Sequence, residues 1–196
     1  GEKDRLFGFI KNKLGVELQT EDFSFQEVSL EAISPSAANE FLSMYHYIGK
    51  GRGGKSIGAF VNGVLAGVCV FSPPMRGGTD VELSRLCIHP RFHKKNFASW
   101  FVSRCVKTVD SNFVAFADTT VGHAGTVYKA SNFSLSHEVA PDYWYVDSSG
   151  WVMHKLTLYK RAVKMKMKER EYAERHGFVK VWGGKKLCFR LDKKGS

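Results

Sequence analysis

The chain has 196 residues, 43% of them hydrophobic, which is enough for one ordinary domain with a sizeable core. Its 29 Lys and Arg against 19 Asp and Glu leave a net charge of +10 and a pI near 9.5, an excess that favours a polyanionic partner such as nucleic acid or anionic lipid. No stretch approaches the roughly 18 uninterrupted apolar residues of a membrane helix, and the opening GEKDRLFGFI lacks the apolar core and cleavage site of a signal peptide, so the expectation is a soluble, cytoplasmic protein with no membrane association.

Residues 1–22 read as an N-terminal extension, 23–192 as the folded domain and 193–196 as a tail with nothing apolar to dock it. Residues 24–33 alternate like a strand. Ser34-Pro35-Ser36 then starts a helix through Ala37, Phe41, Leu42 and Tyr45, ending near His46-Tyr47. A glycine-rich basic loop, GKGRGGK at 49–55, leads into two strand-like runs, SIGAFV and VLAGVCVF. Asn62-Gly63 joins them, and both residues tolerate the positive φ of a type I′ hairpin turn.

After the flexible connection PPMRGGTD, residues 81–90 (VELSRLCIHP) read as a central strand. Alternation puts Val81, Leu83, Arg85, Cys87 and His89 on one face and Glu82, Ser84, Leu86 and Ile88 on the other. Residues 91–109 carry Phe97, Ala98, Phe101, Val102, Cys105, Val106 and Val109 at helical spacing. FVAFAD at 113–118 is a short strand, followed by a helix at about 123–131; aromatic strands around 143–146 and 186–191 bracket a basic helical segment at about 155–176. The order β-α-β-β-β-α-β-α-β with a late strand predicts an α/β (α+β) fold on a mixed sheet. Cys69, Cys87, Cys105 and Cys188 each sit in an apolar run without CxxC spacing, so they are expected to be buried, reduced thiols.

A strand that feeds a short loop into a helix N-terminus offers backbone N–H groups to an anion, and phosphate or pyrophosphate is the natural occupant. This order of elements resembles the GNAT acyltransferase superfamily, whose fourth strand and following helix hold the CoA pyrophosphate through a Gln/Arg-x-x-Gly-x-Gly/Ala loop. On this chain that loop is His93-Lys94-Lys95-Asn96-Phe97-Ala98, with His93 in place of the first residue and Asn96 in place of the central glycine. The resemblance implies acetyl-CoA or another CoA-type donor, held by Arg85, His93, Lys94, Lys95, Asn96, Ala98 and Ser99. The alternative is a basic helix start with no ligand.

Residues 117–133, ADTTVGHAGTVYKASNF, are similar to the ADT…GHxGxxYxAxNF signature of the Mom family, phage DNA-modification proteins regarded as divergent GNAT members. The resemblance extends to His46-Tyr47, to Glu82-Leu83-Ser84-Arg85-Leu86, and to Glu169-Arg170-Glu171-Tyr172-Ala173 with Gly177-Phe178, covering roughly residues 40–190. It implies a phage-encoded enzyme that binds double-stranded DNA and converts adenine at N6 to N6-carbamoylmethyladenine, protecting the DNA from host restriction.

Asp118 closes a strand at the end where open α/β sheets place ligands, and its carboxylate can take a hydrogen bond or proton from an exocyclic amine; as a structural residue it would be the N-cap of the helix beginning near residue 123, or a turn-former before Thr119-Thr120. The resemblance makes Tyr128 the acid that protonates a departing thiolate, against a core tyrosine with a satisfied hydroxyl. His46 and Tyr47 would contact an extruded base, and His46 is the one metal-ligand candidate, although no spaced His/carboxylate motif accompanies it; as a bland residue it caps a helix. Pro90 interrupts any helix through His89 and His93, which therefore do not form a metal clip.

A cation in the middle of a half-buried strand needs a partner, and for Arg85 that is Asp118 on a neighbouring strand or a ligand phosphate, since alternation sends Glu82 to the other face. Arg52 and Lys55, with Lys160, Arg161 and Lys164 from the segment Lys155–Arg170 that carries seven Lys and Arg, are expected to meet DNA phosphates; a solvated basic face is the alternative. Tyr143, Trp144, Tyr145 and Trp151 either stack on an extruded base or form an edge strand against the core.

Transfer of an acetyl group would give an N-acetyl base. A carbamoylmethyl group instead attaches through its methylene carbon and carries an additional amide nitrogen. Two other functions fit the same residues: a CoA-dependent N-acyltransferase acting on another amine, in a modified pyrimidine of DNA or in protein, and a non-catalytic DNA-binding protein.

Overall fold

The computed structural model describes residues 20–73 and 78–193. Most of the expected N-terminal extension, part of the PPMRGGTD connection and most of the tail lie outside the described residues. The chain forms two compact units. One comprises the described part of Gly1–Phe116 with Gly125–Ser136 and the described part of Phe189–Ser196, and the other comprises Ala117–Ala124 with His137–Cys188.

In the first unit, β1 (Val28–Ile33) leads into α1 (Pro35–Tyr45), which starts at Ser34 because that side chain accepts the Ala37 N–H at 3.1 Å and Pro35 presets the first helical φ. Its inner face buries Ala38, Phe41 and Leu42 against Val68, Val70 and Cys87. β2 (Lys55–Val61) and β3 (Val64–Ser72) form the expected hairpin, with Asn62 at φ 49° and Gly63 at φ 77°. β4 (Val81–Ile88) pairs antiparallel with β3 and parallel with β5 (Phe113–Asp118).

The helix expected over 91–109 is shorter. Pro90–Phe92 forms a 3-10 turn, α2 spans Phe97–Cys105, and Val106–Thr108 tightens to a second 3-10 turn. Asn96, at φ 66°, sets that start, since a left-handed residue cannot lie inside the helix it precedes. α3 (Thr126–Ala130) is likewise shorter than the expected 123–131. β6 (Ser134–Val139) and β10 (Lys186–Leu191) complete a seven-stranded mixed sheet in the order β1-β2-β3-β4-β5-β10-β6. Phe92, Phe97, Phe101, Phe113 and Phe189 are almost fully buried, and all four cysteines are buried.

The second unit holds β7 (Tyr143–Val146), β8 (Val152–His154) and β9 (Val179–Trp182) in the order β8-β7-β9. The basic segment expected as one helix over 155–176 is two: α4 (Lys155–Lys164) and α5 (Glu169–Arg175). Lys166, at φ 54°, breaks it, and the Met167 N–H returns to the Ala162 carbonyl at 3.0 Å. Tyr145, Met153, Leu158, Ala162, Tyr172 and Ala173 form this unit's core. Tyr145 is therefore a core residue, so the loop-borne stacking role considered for it does not hold. Tyr145 and Tyr143 both donate their hydroxyls to Glu169 Oε1, at 2.8 and 2.9 Å.

The edges of the expected domain are anchored. Glu21 and Asp22, placed in the extension, pair with Arg91 and Lys94, and Lys193, placed in the tail, donates its N–H to Asn112 Oδ1 at 2.9 Å. No helix among the described residues is long and apolar enough to cross a membrane.

Gly125 sits at φ 72°, and a Cβ there would lie 2.2 Å from the Phe189 ring. Gly125→Ala is expected to cost about 3 kcal/mol through overpacking and left-handed strain, read as a lower urea midpoint with an unchanged slope.

Candidate active site

The parallel pairing of β4 with β5 covers Val81↔Phe113, Glu82↔Val114 and Leu83↔Ala115. Ser84–Ile88 therefore extends beyond the β5 ladder, leaving one edge of β4 open in the first unit. On its other edge β4 carries a bulge. Val70 pairs with Arg85 and Phe71 with Leu83, so Ser84 is an extra residue opposite the β3 backbone. One added residue re-phases the alternation, and Glu82 and Arg85, expected on opposite faces, come within electrostatic reach of one another.

Each polar residue of Glu82-Leu83-Ser84-Arg85 is then accounted for. Glu82 accepts from Arg52 at 2.5 Å. The Ser84 hydroxyl lies 2.7 Å from that of buried Ser72 and reaches the Val70 carbonyl at 3.2 Å, which satisfies the bulge. Arg85 donates to the Ser84 carbonyl at 2.6 Å and the Lys50 carbonyl at 3.2 Å, while its Nε is buried without a hydrogen-bond partner. Burial lowers the Arg85 pKa, and Tyr47 and Glu82 oppose that shift. The protein partners of Arg85 are thus two carbonyls and the Tyr47–Glu82 field, and Asp118, one of the two partners expected beside a ligand phosphate, is not among them.

Tyr128 belongs to the same cluster. Its ring packs on Phe133 and Phe189, with centroids 5.8 and 5.6 Å away. The residue as a whole is half-buried, but its hydroxyl end lies deep, and burial pushes its pKa well above the ordinary phenol value. Cys69, Tyr47 and Glu82 add to that rise and Arg85 opposes it. Tyr128 sits on α3, which is held to α2 by the buried Ser131 hydroxyl donating to the Ser99 carbonyl at 3.1 Å. First-unit residues 47, 82, 85 and 128 therefore converge on one region, with Arg52 as an additional member through Glu82. Glu82 was visible in the sequence only as part of a motif, because its pairing depends on the bulge.

His46 terminates α1. Its Nδ1 accepts the Ile48 N–H at 3.1 Å, and its ring stacks on Tyr47 at 4.8 Å. Among the described residues no group of three or more His, Cys, Asp or Glu is placed to hold a metal ion. His89 caps the 3-10 turn, and its ring lies 4.5 Å from that of Tyr45.

In the loop before α2, Asn96 adopts the left-handed conformation in which it can stand for glycine, and it makes no side-chain cap. His93 is exposed. Burial nevertheless lowers its pKa, against a hydrogen bond with the Ile88 backbone. Lys94 is committed to Asp22 at 2.6 Å and to the Phe23 carbonyl, and the Ser99 hydroxyl donates to the Asn96 carbonyl at 3.0 Å. Lys95, exposed, has no ion pair among the described residues, and Ala98 lies in the first turn. The uncapped first turn, left-handed Asn96 and Lys95 fit a pyrophosphate; Lys94 and Ser99 are otherwise engaged.

Asp118 lies in the second unit, where its Oδ1 accepts the Thr120 N–H at 2.9 Å as the cap of a 3-10 turn, Thr119–Val121. Thr119 Oγ1 donates to the Lys185 carbonyl at 2.6 Å, and Thr120 Oγ1 accepts the Gly184 N–H at 2.9 Å. The two threonines of the ADTT run thus anchor the turn that carries Asp118. Of the residues expected on DNA, Arg52 is held by Glu82 and Lys55 Nζ donates to the Thr108 carbonyl at 2.7 Å, so neither is a free cation. Lys160, Arg161 and Lys164 are exposed on α4.

A phenol whose folded pKa is raised gives stability that is complete below the unfolded value, about 10, and is lost as pH rises above it. Wild-type stability should therefore fall more steeply above pH ~10 than that of Tyr128→Phe. Urea midpoints measured across that range check the difference; parallel curves would show that Tyr128 titrates as an exposed phenol.

A family model described as the Mom protein family matches residues 27–187. No curated protein matches the chain. Among solved structures, the fold is similar to an acetyltransferase of Bacillus subtilis in complex with CoA, at 13% identity and a TM-score of 0.50, covering 86% of this chain and 99% of that one. It is also similar to a GNAT family acetyltransferase from Elizabethkingia anophelis with acetyl-CoA bound, at 8% identity and a TM-score of 0.50, covering 85% and 99%. With the open β4, the glycine-substituting Asn96 and the converging Arg85 and Tyr128, these similarities place the chain in the Mom protein family, on a GNAT acetyltransferase fold.

Proposed function

We propose that this protein is a phage DNA-modification transferase that acts on the exocyclic N6 amine of adenine in double-stranded DNA, producing N6-carbamoylmethyladenine and so protecting the DNA from restriction in the host cytoplasm. The observation that carries this reading is the cluster of Tyr47, Glu82, Arg85 and Tyr128 beside the open edge of β4, in a member of the Mom family. Adenine N6 is shielded in the stack, so the base must be extruded, at a cost of about a few kcal/mol.

A CoA-type donor is the cofactor this fold suggests, and when bound it supplies an activated carbon and a thiolate leaving group. Lys95 and the backbone N–H groups of Ala98 and Ser99 would hold its phosphates, the Phe97 N–H being donated to the Lys94 carbonyl. Arg85 keeps a desolvated cation in the cluster, with Nε available to an anionic oxygen. Tyr128 keeps its proton at any working pH, so its part is to donate a hydrogen bond where negative charge develops; a phenol raised this far is a poor proton source. His46 stacks on Tyr47 and fixes that ring, through which the pair meets the base. Asp118 Oδ1 is spent on Thr120, so Oδ2 accepts the amine hydrogen bond or proton. Acyl transfer alone does not give the carbamoylmethyl product, in which N6 bonds to a methylene carbon and an amide nitrogen is added.

A second reading, a CoA-dependent N-acyltransferase acting on another amine, draws on the uncapped start of α2 and left-handed Asn96. Masses of nucleosides from a plasmid in cells that make the protein separate the two. The proposal expects a deoxyadenosine adduct of about 57 mass units that disappears with Asp118→Ala, whereas an acetyl adduct of about 42 units, or an adduct on another base, supports the second. No adduct, with DNA binding intact, makes the chain a DNA-binding protein.

A further inference from the structure

Helix α4 carries two apolar faces but buries one. Leu158 and Ala162 are fully buried in the second unit's core, whereas Leu156, Tyr159 and Val163 are 56%, 51% and 53% exposed. At about 100° per residue these three occupy an arc of roughly 60° next to the buried face, and Lys160 and Lys164 occupy the next arc of roughly the same width. Trp151, 49% exposed, packs against Arg161, which stands about 170° from this arc on the opposite side of α4. Arg161 lies over the Trp151 ring at 5.7 Å.

The charge carried by α4 has one sign. α4 contains no acidic residue, and Lys160, Arg161, Lys164, Lys166 and Lys168 form no ion pair with a carboxylate among the described residues; Lys155 alone is paired, with Asp142 at 2.6 Å. A second copy of this chain would set like charges against each other along such a helix. A surface with regularly spaced anions on either side of an apolar, stackable interior does the opposite. Duplex DNA is such a surface: phosphates line its grooves, and base steps between them accept apolar side chains as wedges.

From this we infer that α4 is a DNA-distorting element, with Leu156, Tyr159 and Val163 entering a groove and unstacking a base step while Lys160 and Lys164 take the flanking phosphates. The inference rests on the reading that the substrate is duplex DNA and names how that DNA is held and bent. It gives the exposed ridge a role that phosphate contact alone would not require.

The test uses the full chain and a duplex carrying 2-aminopurine, whose fluorescence rises when its step unstacks. Wild type should bind and raise the fluorescence several-fold. The variant Leu156→Ser/Tyr159→Ser/Val163→Ser changes exposed residues only and, with thermal unfolding as the check on folding, should keep the salt dependence of binding but lose the fluorescence rise. Lys160→Gln/Lys164→Gln should lower the slope of log affinity against log salt by about 2.

An undiminished fluorescence rise in the serine variant overturns the inference and leaves the DNA reading in place. So does a serine variant whose effect is confined to sedimentation, or to binding of phosphatidylserine vesicles, because the ridge then serves a second copy or a lipid surface. Failure of the wild-type chain to bind the duplex at low salt overturns both.

Discussion

The arrangement in the first unit depends on one half-buried guanidinium. Arg85 stands in the middle of a sheet strand, where a cation loses most of its water and has to be solvated by the protein. Two backbone carbonyls, from Ser84 and Lys50, do part of this, and Tyr47 and Glu82 supply the opposing field. The Lys50 carbonyl is available because the glycine-rich loop runs close to the strand: a Cβ on Gly51 would lie 3.3 Å from Arg85 Cγ. The loop is thus glycine-rich where it must approach the cation. Glu82, Arg52, Ser72 and Ser84 then follow as the second tier that fixes the bulge and the strand carrying Arg85.

That solution leaves Nε without a partner, a cost that a purely structural residue would be expected to avoid. Beside it, Tyr128 is held uncharged by burial. A desolvated cation and a neutral donor side by side can both interact with an oxygen that gains negative charge, without rearrangement when the charge appears. The same pairing stabilises the fold poorly, because each group would be better solvated in water. The stability that maintains it comes from elsewhere in the unit, from the aromatic packing of Phe92, Phe97, Phe101 and Phe113.

Features set by local chemistry were legible in the sequence. Asn62-Gly63 specifies its turn, Ser34-Pro35 starts α1, and Asn96 in a glycine position adopts a glycine's conformation. Features set by tertiary context were not. The bulge at Ser84 leaves no sequence mark, and strict alternation therefore separated Glu82 from Arg85. The break at Lys166 occurs without Gly or Pro, so a continuous basic helix was the natural reading of 155–176. β8, with three residues, is too short to show a period. Within the candidate site, Arg85, Tyr128 and Tyr47 were legible as residue types in motifs, but their convergence required the fold. Of the structural alternatives considered for Asp118, the turn before Thr119-Thr120 is the contact it makes, and the helix after residue 123 starts at Gly125 without it.

The distribution of charge bears on how a basic enzyme would divide its labour. The sequence offers cations in both units, yet in the first unit Arg52, Arg91, Lys94, Arg190 and Lys193 are tied to carboxylates and Lys55 to a carbonyl. In the second unit, the run from Lys160 to Lys168 is unopposed until Glu169, whose Oε1 is already engaged by Tyr143 and Tyr145. Unpaired cations contribute to attraction of a polyanion, whereas paired ones contribute mainly to structure. The unopposed cations of α4 thus face solvent, and the cluster around Arg85 is left with near-balanced charge. On the proposed reading, a site so balanced gains little from long-range attraction of DNA, and the unpaired cations of α4 supply that attraction instead.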